Sequence, residues 1–183
     1  MNTSGRVIRL IGLCGPAGSG KSSLATAFAL NTGWCMLSFA DPVRKMLEAM
    51  NPIVGDSRYL DLVNQYGYDE AKRRFPEVRA LLQKLGTEAG RGVLGDDVWT
   101  KFATPRIHSG VYWAGGVIID DVRMTNEAEL IRELGGVVIR VQREGVRATS
   151  THVSERLQFP VDDVVDNKQS VEETVEELKW RIL

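Results

Sequence analysis

One stretch near the N-terminus, Gly15-Pro16-Ala17-Gly18-Ser19-Gly20-Lys21-Ser22, limits what this chain can fold into more than any other. It matches the phosphate-binding pattern G-x-x-x-x-G-K-[ST] at every defined position. The pattern works only between a strand and a helix, and the flanks supply both. Val7-Ile8-Arg9-Leu10-Ile11-Gly12-Leu13-Cys14 reads as a buried strand. Ser23-Leu24-Ala25-Thr26-Ala27-Phe28-Ala29-Leu30 carries apolar residues at helical spacing and stops at Thr32-Gly33. Glycines let the backbone wrap an anion with its N–H groups turned inward, and the helix N-terminus adds its positive dipole end. An ordinary glycine-rich turn would need none of this context. The stretch implies a nucleoside triphosphate cradled by Gly15, Ala17, Gly18, Ser19, Gly20, Lys21, Ser22 and Ser23. Lys21 is expected at the β- and γ-phosphates and the Ser22 hydroxyl on Mg²⁺.

At 183 residues the length predicts one domain with a substantial core. Lys+Arg numbers 23 against 24 Asp+Glu, a net charge of −1, so nucleic acid is a poor principal partner. Cys14 and Cys35 make neither a disulfide framework nor a metal spacing, and read as small buried hydrophobes of a reducing cytoplasm. No apolar run is long enough to cross a bilayer. The N-terminal apolar stretch holds Arg9 and feeds straight into the phosphate loop, which is not the pattern of a signal peptide.

Further along, Trp34-Cys35-Met36-Leu37-Ser38-Phe39-Ala40 predicts a second strand, followed by Asp41 as a helix N-cap and Pro42 at the first helical position. Val43, Met46, Leu47 and Met50 recur at i, i+3, i+4 and i+7, predicting a helix up to Asn51-Pro52. Arg44 and Lys45 stand in its first turn, where the macrodipole disfavours cations; either an anion lies nearby or both are simply solvated. Asp41 has two readings as well, a cap or a ligand group at the C-terminal edge of a sheet strand. Residues 52–76 are expected to be helical and peripheral, a flap on the acceptor side, with Gly67 as a break and Lys72-Arg73-Arg74 as a solvated face.

The helix predicted from Pro76 onward puts Leu81, Leu82, Leu85 and Ala89 on an inward face. Gln83, Thr87 and Arg91 follow at i, i+4 steps on another face, beside Gly86 and Gly90. Each interior glycine costs roughly 1 kcal/mol against alanine, which makes sense if a ligand approaches the backbone or if helices pack tightly there. A further helical stretch is expected from Gly95 to about Pro105. Gly116-Val117-Ile118-Ile119-Asp120-Asp121 is the third strand, with two acids at its end where a phosphate-loop enzyme holds its metal or its acceptor. Arg123 follows, then a helix from Thr125 to Gly135-Gly136 and a fourth strand, Val137-Val138-Ile139-Arg140-Val141. Arg143, Arg147, His152, Glu155 and Arg156 populate a polar stretch with the length of a functional loop. Val164-Val165-Asp166-Asn167 makes a last strand. A capping box at Ser170-Val171-Glu172-Glu173 then opens a helix striped by Val171, Val175, Leu178 and Ile182. The alternation predicts an α/β fold, a five-stranded parallel sheet with helices on both faces, strand order open.

Together these segments resemble the phage-type deoxynucleoside monophosphate kinases, within the nucleoside monophosphate kinase group of P-loop kinases. The resemblance runs through residues 15–22, Phe39-Ala40-Asp41-Pro42, Gln83-Lys84-Leu85-Gly86-Thr87-Glu88, Asp121-Val122-Arg123 with Asn126-Glu127, and His152-Val153-Ser154-Glu155. It spans nearly the whole chain in order. It implies a P-loop NTPase fold with a core over 1–51, 111–142 and 160–183, an acceptor-binding helical insertion over about 52–110, and a lid over about 143–159. It also implies ATP, Mg²⁺ and a deoxynucleoside 5′-monophosphate, in a cytoplasm that is the infected host's if the chain is phage-encoded. By position it puts Asp41, Gln83, Arg91 and Arg123 at the acceptor and Arg143 in the lid; Lys21, Asp41, Arg123 and Arg143 are expected at the reacting groups, and Asp121 joins the acceptor set. Arg44, Lys45 and Thr87 join the acceptor set on the helix arguments above. Ser22 and Asp120 go to the metal. The better-known relatives follow their third strand with a D-G-x-P-R-like turn, whereas this chain has Asp120-Asp121-Val122-Arg123, which leaves open which acid faces the metal.

The implied partners are small nucleotides, with no nucleic acid and no membrane, and the oligomeric state stays open, a homodimer included. Rival readings are testable. Asp166-Asn167-Lys168-Gln169-Ser170 also resembles dephospho-CoA kinase, whose hydroxyl acceptor would make Asp41 a general base. A GTP-dependent switch fits worse, because N-K-x-D would need Asp where Ser170 stands and no D-x-x-G occurs. A structural ATPase acting on DNA is disfavoured by the acidic balance.

Overall fold

The computed structural model describes residues 8–146, 159–167 and 170–182. In chain order its elements are β1 (Leu10–Cys14), α1 (Lys21–Thr32), β2 (Cys35–Leu37), α2 (Asp41–Met50), β3 (Ile53–Val54), β4 (Ser57–Arg58), α3 (Tyr59–Tyr66), α4 (Tyr68–Arg74) and α5 (Pro76–Gln83). A π-helix (Lys84–Arg91), α6 (Gly92–Leu94), α7 (Val98–Ala114), β5 (Val117–Ile119), α8 (Thr125–Glu133), β6 (Val137–Gln142), β7 (Asp163–Asp166) and α9 (Val171–Ile182) complete the described residues. They divide into two compact units, one within 1–39 and 103–183, the other 40–102. None of the described helices is long and apolar enough to cross a membrane.

The first unit is built on one sheet of five strands in the order β2-β5-β1-β6-β7, each neighbouring pair parallel. Every residue of β1 is buried, so both faces of the sheet must be covered. Alternation along the strand decides what covers each. Ile11 and Leu13 pack with Leu24 and Phe28 of α1 and with Val175, Leu178 and Ile182 of α9. Leu10 and Cys14 point the other way, among Ala103 and Ile107 of α7 and Ala128 and Ile131 of α8. Each large side chain so buried contributes about 1.5–3 kcal/mol. Gly12 lets α8 settle, since a Cβ there would lie 2.4 Å from Ile131 Cδ1. This is the five-stranded parallel sheet expected from the alternation of strands and helices, in the P-loop NTPase architecture that the resemblance implies. The sequence leaves the order open, and the order is what brings the C-terminal ends of β5 and β6 to either side of the phosphate loop.

The second unit has its own core, Leu47, Val54, Tyr59, Leu62, Ala71 and Val78, and a smaller cluster of Val43, Val98 and Trp99 against Leu82 and Leu85. Four local expectations are corrected here. Residues 53–58 form an antiparallel hairpin ahead of α3 and α4, turned at Gly55 with φ +57°. The Gly-Asp pair between two short runs is the local cause. Ala40 takes the N-cap place, so Asp41 begins α2 without capping it and faces Arg44 instead, Nη1 to Oδ1 3.4 Å. The helix from Pro76 stays α only to Gln83 and then widens. Finally, α7 runs through Pro105 to Ala114, because Pro105 lies on the exposed side where water can satisfy the carbonyl its ring leaves unbonded.

Candidate active site

Residues 15–22 leave β1 and enter α1 by way of three glycines with positive φ, Gly15 at 139°, Gly18 at 81° and Gly20 at 93°. Gly15 is also closed sterically by backbone, and a side chain at Gly20 would displace the Asn167 amide. A Cβ on Gly15 would stand 2.4 Å from the Val141 carbonyl oxygen, and one on Gly20 would stand 2.2 Å from Asn167 Nδ2. Gly20 is the N-cap of α1 and gives the helix no side-chain cap, so the first-turn N–H groups of the helix keep their capacity for an anion. The strand, the glycine conformations and the helix all stand as the phosphate-binding pattern requires.

Lys21 lies along the loop, its Nζ donating to the carbonyl oxygens of Gly15 and Pro16 at 2.8 Å each. Burial, with the Arg123 guanidinium adding to it, lowers its ammonium from the usual 10.5 to about 8. Asp120 and Asp121 pull weakly the other way. The next residue makes the most telling contact, Ser22 Oγ donating to Asp120 Oδ2 at 2.6 Å. Asp121 points elsewhere. Its Oδ2 accepts from Ser38 Oγ at 2.6 Å and its Oδ1 from the Phe39 N–H at 2.8 Å, tying the end of β2 to the end of β5. Two adjacent acids thus separate by pleat, one toward the phosphate loop and one toward the neighbouring strand.

Arg123 is exposed at the start of the turn into α8, its backbone N–H held by the buried Glu127 carboxylate at 2.7 Å. Asn167 is a participant to which the sequence assigns no role beyond the last strand. Its Nδ2 donates to the Ser19 carbonyl at 2.9 Å and its own N–H to Gln142 at 2.7 Å, so it braces the loop from β7. The Asn-Lys pair was the available signal. Beside it opens a cavity of about 380 Å³ walled by Gly20 and Ser23, by Arg143 and Glu144 after β6, and by Asn167, Ser170 and Val171. That is within the size range of small-ligand pockets. Arg143 therefore stands on the same cavity as Gly20 and Ser23 of the phosphate loop. Arg147, His152, Glu155, Arg156 and most of the lid expected over 143–159 lie outside the described residues.

The second unit carries the other expected residues. Arg44 is gripped between Asp41 and the ring of Tyr68, its guanidinium carbon 4.8 Å from the ring centre. Lys45 is exposed on the same helix. Tyr59, wholly buried beside them, has its hydroxyl pushed up to about 12 by burial, with Tyr68 and Glu48 adding to the effect. Gln83 ends α5, Thr87 is exposed in the π-helix, and Arg91 donates from Nη1 to the Asp96 carbonyl at 2.8 Å. Trp99, unflagged in the sequence, sits against the π-helix and donates from Nε1 to the Gly86 carbonyl at 2.8 Å.

Comparison with known proteins points the same way. The family model described as deoxynucleotide monophosphate kinase matches residues 69–179. An Acanthamoeba polyphaga mimivirus protein named as a deoxynucleotide monophosphate kinase is 31% identical over 188 residues, covering 90% of this chain and 91% of its own. The deoxynucleotide monophosphate kinase of Escherichia phage RB69 is 28% identical over 131 residues, covering 68% of this chain; the chain spans about half, 53%, of that longer relative. Among solved structures, Thermus thermophilus TT1252 superposes with a TM-score of 0.51 at 18% identity, covering 96% of this chain and 97% of its own, a likeness of fold alone.

Proposed function

The chain belongs to the deoxynucleotide monophosphate kinase family, and on that premise we propose how its residues divide the transfer of a phosphoryl group from ATP to a deoxynucleoside 5′-monophosphate. The observation that carries the reading is the Ser22–Asp120 contact at the mouth of the phosphate loop. A hydroxyl and a carboxylate oxygen 2.6 Å apart at a helix N-terminus are hard donors that suit Mg²⁺, which keeps most of its waters and takes few protein ligands. Ser22 and Asp120 would hold that ion. Bound there, it would supply neutralisation of phosphate charge.

The donor side follows from the loop. Backbone N–H groups of Gly15 and of Ala17 to Ser23 receive the phosphates, and Lys21 turns from its carbonyl partners to the β- and γ-oxygens. Asn167 keeps the loop in shape, and the cavity by Arg143 and Ser170 takes the base and sugar. The acceptor is assigned to Asp41, Arg44, Lys45, Gln83, Thr87 and Arg91, with Arg123 at the reacting phosphate. Asp121 serves the acceptor by positioning, since it fixes the backbone at Phe39. The acceptor phosphate is already ionised near neutral pH and attacks in line, so no strong general base is required. Charge neutralisation and exclusion of water remain for the protein, and arginine forks at several places suit the first task.

The test is a panel of nucleoside 5′-monophosphates and dephospho-CoA offered with Mg-ATP while ADP release is followed. Deoxynucleoside monophosphates should support turnover and dephospho-CoA should not; turnover with dephospho-CoA alone would reverse the assignment. Arg91→Ala and Gln83→Ala should raise the KM for the monophosphate and leave that for ATP. Loss of a charged hydrogen bond corresponds to about ten- to hundredfold, so Arg91 should matter more than Gln83. Viral relatives support the cytoplasm of an infected host as the place of action. Light scattering decides between monomer and homodimer.

A further inference from the structure

Eight residues of π-helix make a long run of a less favoured geometry, and such segments concentrate at functional sites. The Gly92 N–H reaches back five residues to the Thr87 carbonyl, as this geometry requires. Nothing in the local sequence dictates the widening, so its cause must lie in what packs against it. Trp99 is 4% exposed and touches the π-helix twice. Its Nε1–H bonds the Gly86 carbonyl at 2.8 Å, and its ring rests on Gly90, where a Cβ would stand 2.1 Å from Cζ2 and 2.8 Å from Cε2. The two contacts are a full helical turn apart and involve the two glycines of the segment. Arg91 adds a tie of its own to the Asp96 carbonyl, just ahead of α7.

We propose that Trp99 is a positioning residue for the acceptor: its indole holds residues 84–91 in the wide helix and so sets where Thr87 and Arg91 point. An α-helix advances about 100° per residue and a π-helix less, so over a segment of this length the difference accumulates to roughly one residue's rotation. Were residues 84–91 to close into α form, Thr87 and Arg91 would still share a face with Gln83 through their i, i+4 spacing, but both would swing away from the directions the wide helix gives them. The inference rests on the acceptor reading of Gln83, Thr87 and Arg91 given above.

Trp99→Phe keeps an aromatic ring in the seat and removes the N–H. In the full-length enzyme it should raise the KM for the deoxynucleoside monophosphate about five- to tenfold. The KM for ATP should stay within about twofold, and the Gly92 amide should exchange about tenfold faster. Gly90→Ala pushes the same indole from the other side and should shift the same KM in the same direction. An unchanged monophosphate KM in folded Trp99→Phe, or a parallel rise for ATP, overturns the proposal. So does fast exchange of the Gly92 amide in the unmodified protein, a measurement that needs no variant to fold. Arg91→Ala separates the two layers of the argument. If it raises the monophosphate KM and Trp99→Phe does not, the positioning role alone falls. If it leaves that KM unchanged while Trp99→Phe still frees the Gly92 amide, the acceptor reading is at fault and Trp99 is a packing residue only.

Discussion

The phosphate loop and the π-helix are both glycine-rich, but their glycines answer different demands. In the loop Gly15, Gly18 and Gly20 hold positive φ, which side-chain-bearing residues rarely adopt. In the π-helix Gly86 and Gly90 have no such conformation, and only one of them is short of space. Gly90 carries the Trp99 ring, whereas the nearest atoms to a Cβ on Gly86 are Val43 methyls at 3.7 and 3.8 Å, an ordinary contact. The loop's shape is thus written into its own backbone. The π-helix takes its shape from a residue outside it. A motif scan finds the first kind of site and passes over the second.

The largest effect expected on the loop side is chemical. Lys21→Met should fold normally and slow single-turnover phosphoryl transfer by at least about 10³-fold, because the charge gains value as negative charge develops on the transferring group. A rate within tenfold of the parent would show that the loop binds without taking part in the transfer. Next in size is Gly15→Ala, where positive φ and a carbonyl 2.4 Å from the added carbon leave no side chain to yield. A loss of about 1–3 kcal/mol in stability, with weaker ATP binding, is expected from urea titration and calorimetry. The π-helix offers a sharper contrast within itself. Gly90→Ala should destabilise by about 1–3 kcal/mol through overpacking against Trp99. Gly86→Ala should be neutral or stabilise by up to about 1 kcal/mol, since helix propensity improves and the space exists. Equal losses at both positions would mean that the glycines serve the backbone and not the indole.

The same division separates what is legible in the amino-acid sequence from what is not. The five strands, the phosphate loop and the closing helix are local signals, buried apolar runs and helical spacing punctuated by glycine and proline, and they stand near where the sequence placed them, with β2 ending at Leu37 and not running on to Ala40. Strand order, the π-helix and the separation of Asp120 from Asp121 depend on neighbours far along the chain. Ser22 and Asp120 are 98 residues apart, Ser38 and Asp121 are 83, and no spacing rule connects them. The Gly55-Asp56 turn is legible in a segment that otherwise reads as helical. Asn167 was half visible, as part of an Asn-Lys pair whose usual partner acid is missing. Trp99 carried no signal, because a buried tryptophan near the start of a helix is ordinary core until its N–H is seen to leave the core for a carbonyl.

The smallest effect expected is a fraction of a proton, and it tests the loop as an electrostatic device. Burial and the Arg123 charge lower the Lys21 ammonium to about 8. Between that value and 10.5 the unfolded chain binds a proton that the folded chain lacks, so the Lys21 contribution to stability rises with pH through this window and is least favourable below it. Triphosphate oxygens beside Nζ reverse the effect, because opposite charge favours the ammonium and restores its proton affinity. ATP binding should therefore take up protons. With the bound lysine fully charged, the uptake is roughly three-quarters of a proton at pH 8.5 and roughly a tenth at pH 7. Titration calorimetry in buffers of differing ionisation enthalpy reads this number directly, and Lys21→Met should abolish the difference between the two pH values. Uptake that is the same at both pH values, or that survives Lys21→Met, would assign the proton to another group and leave Lys21 charged in the loop before the nucleotide arrives.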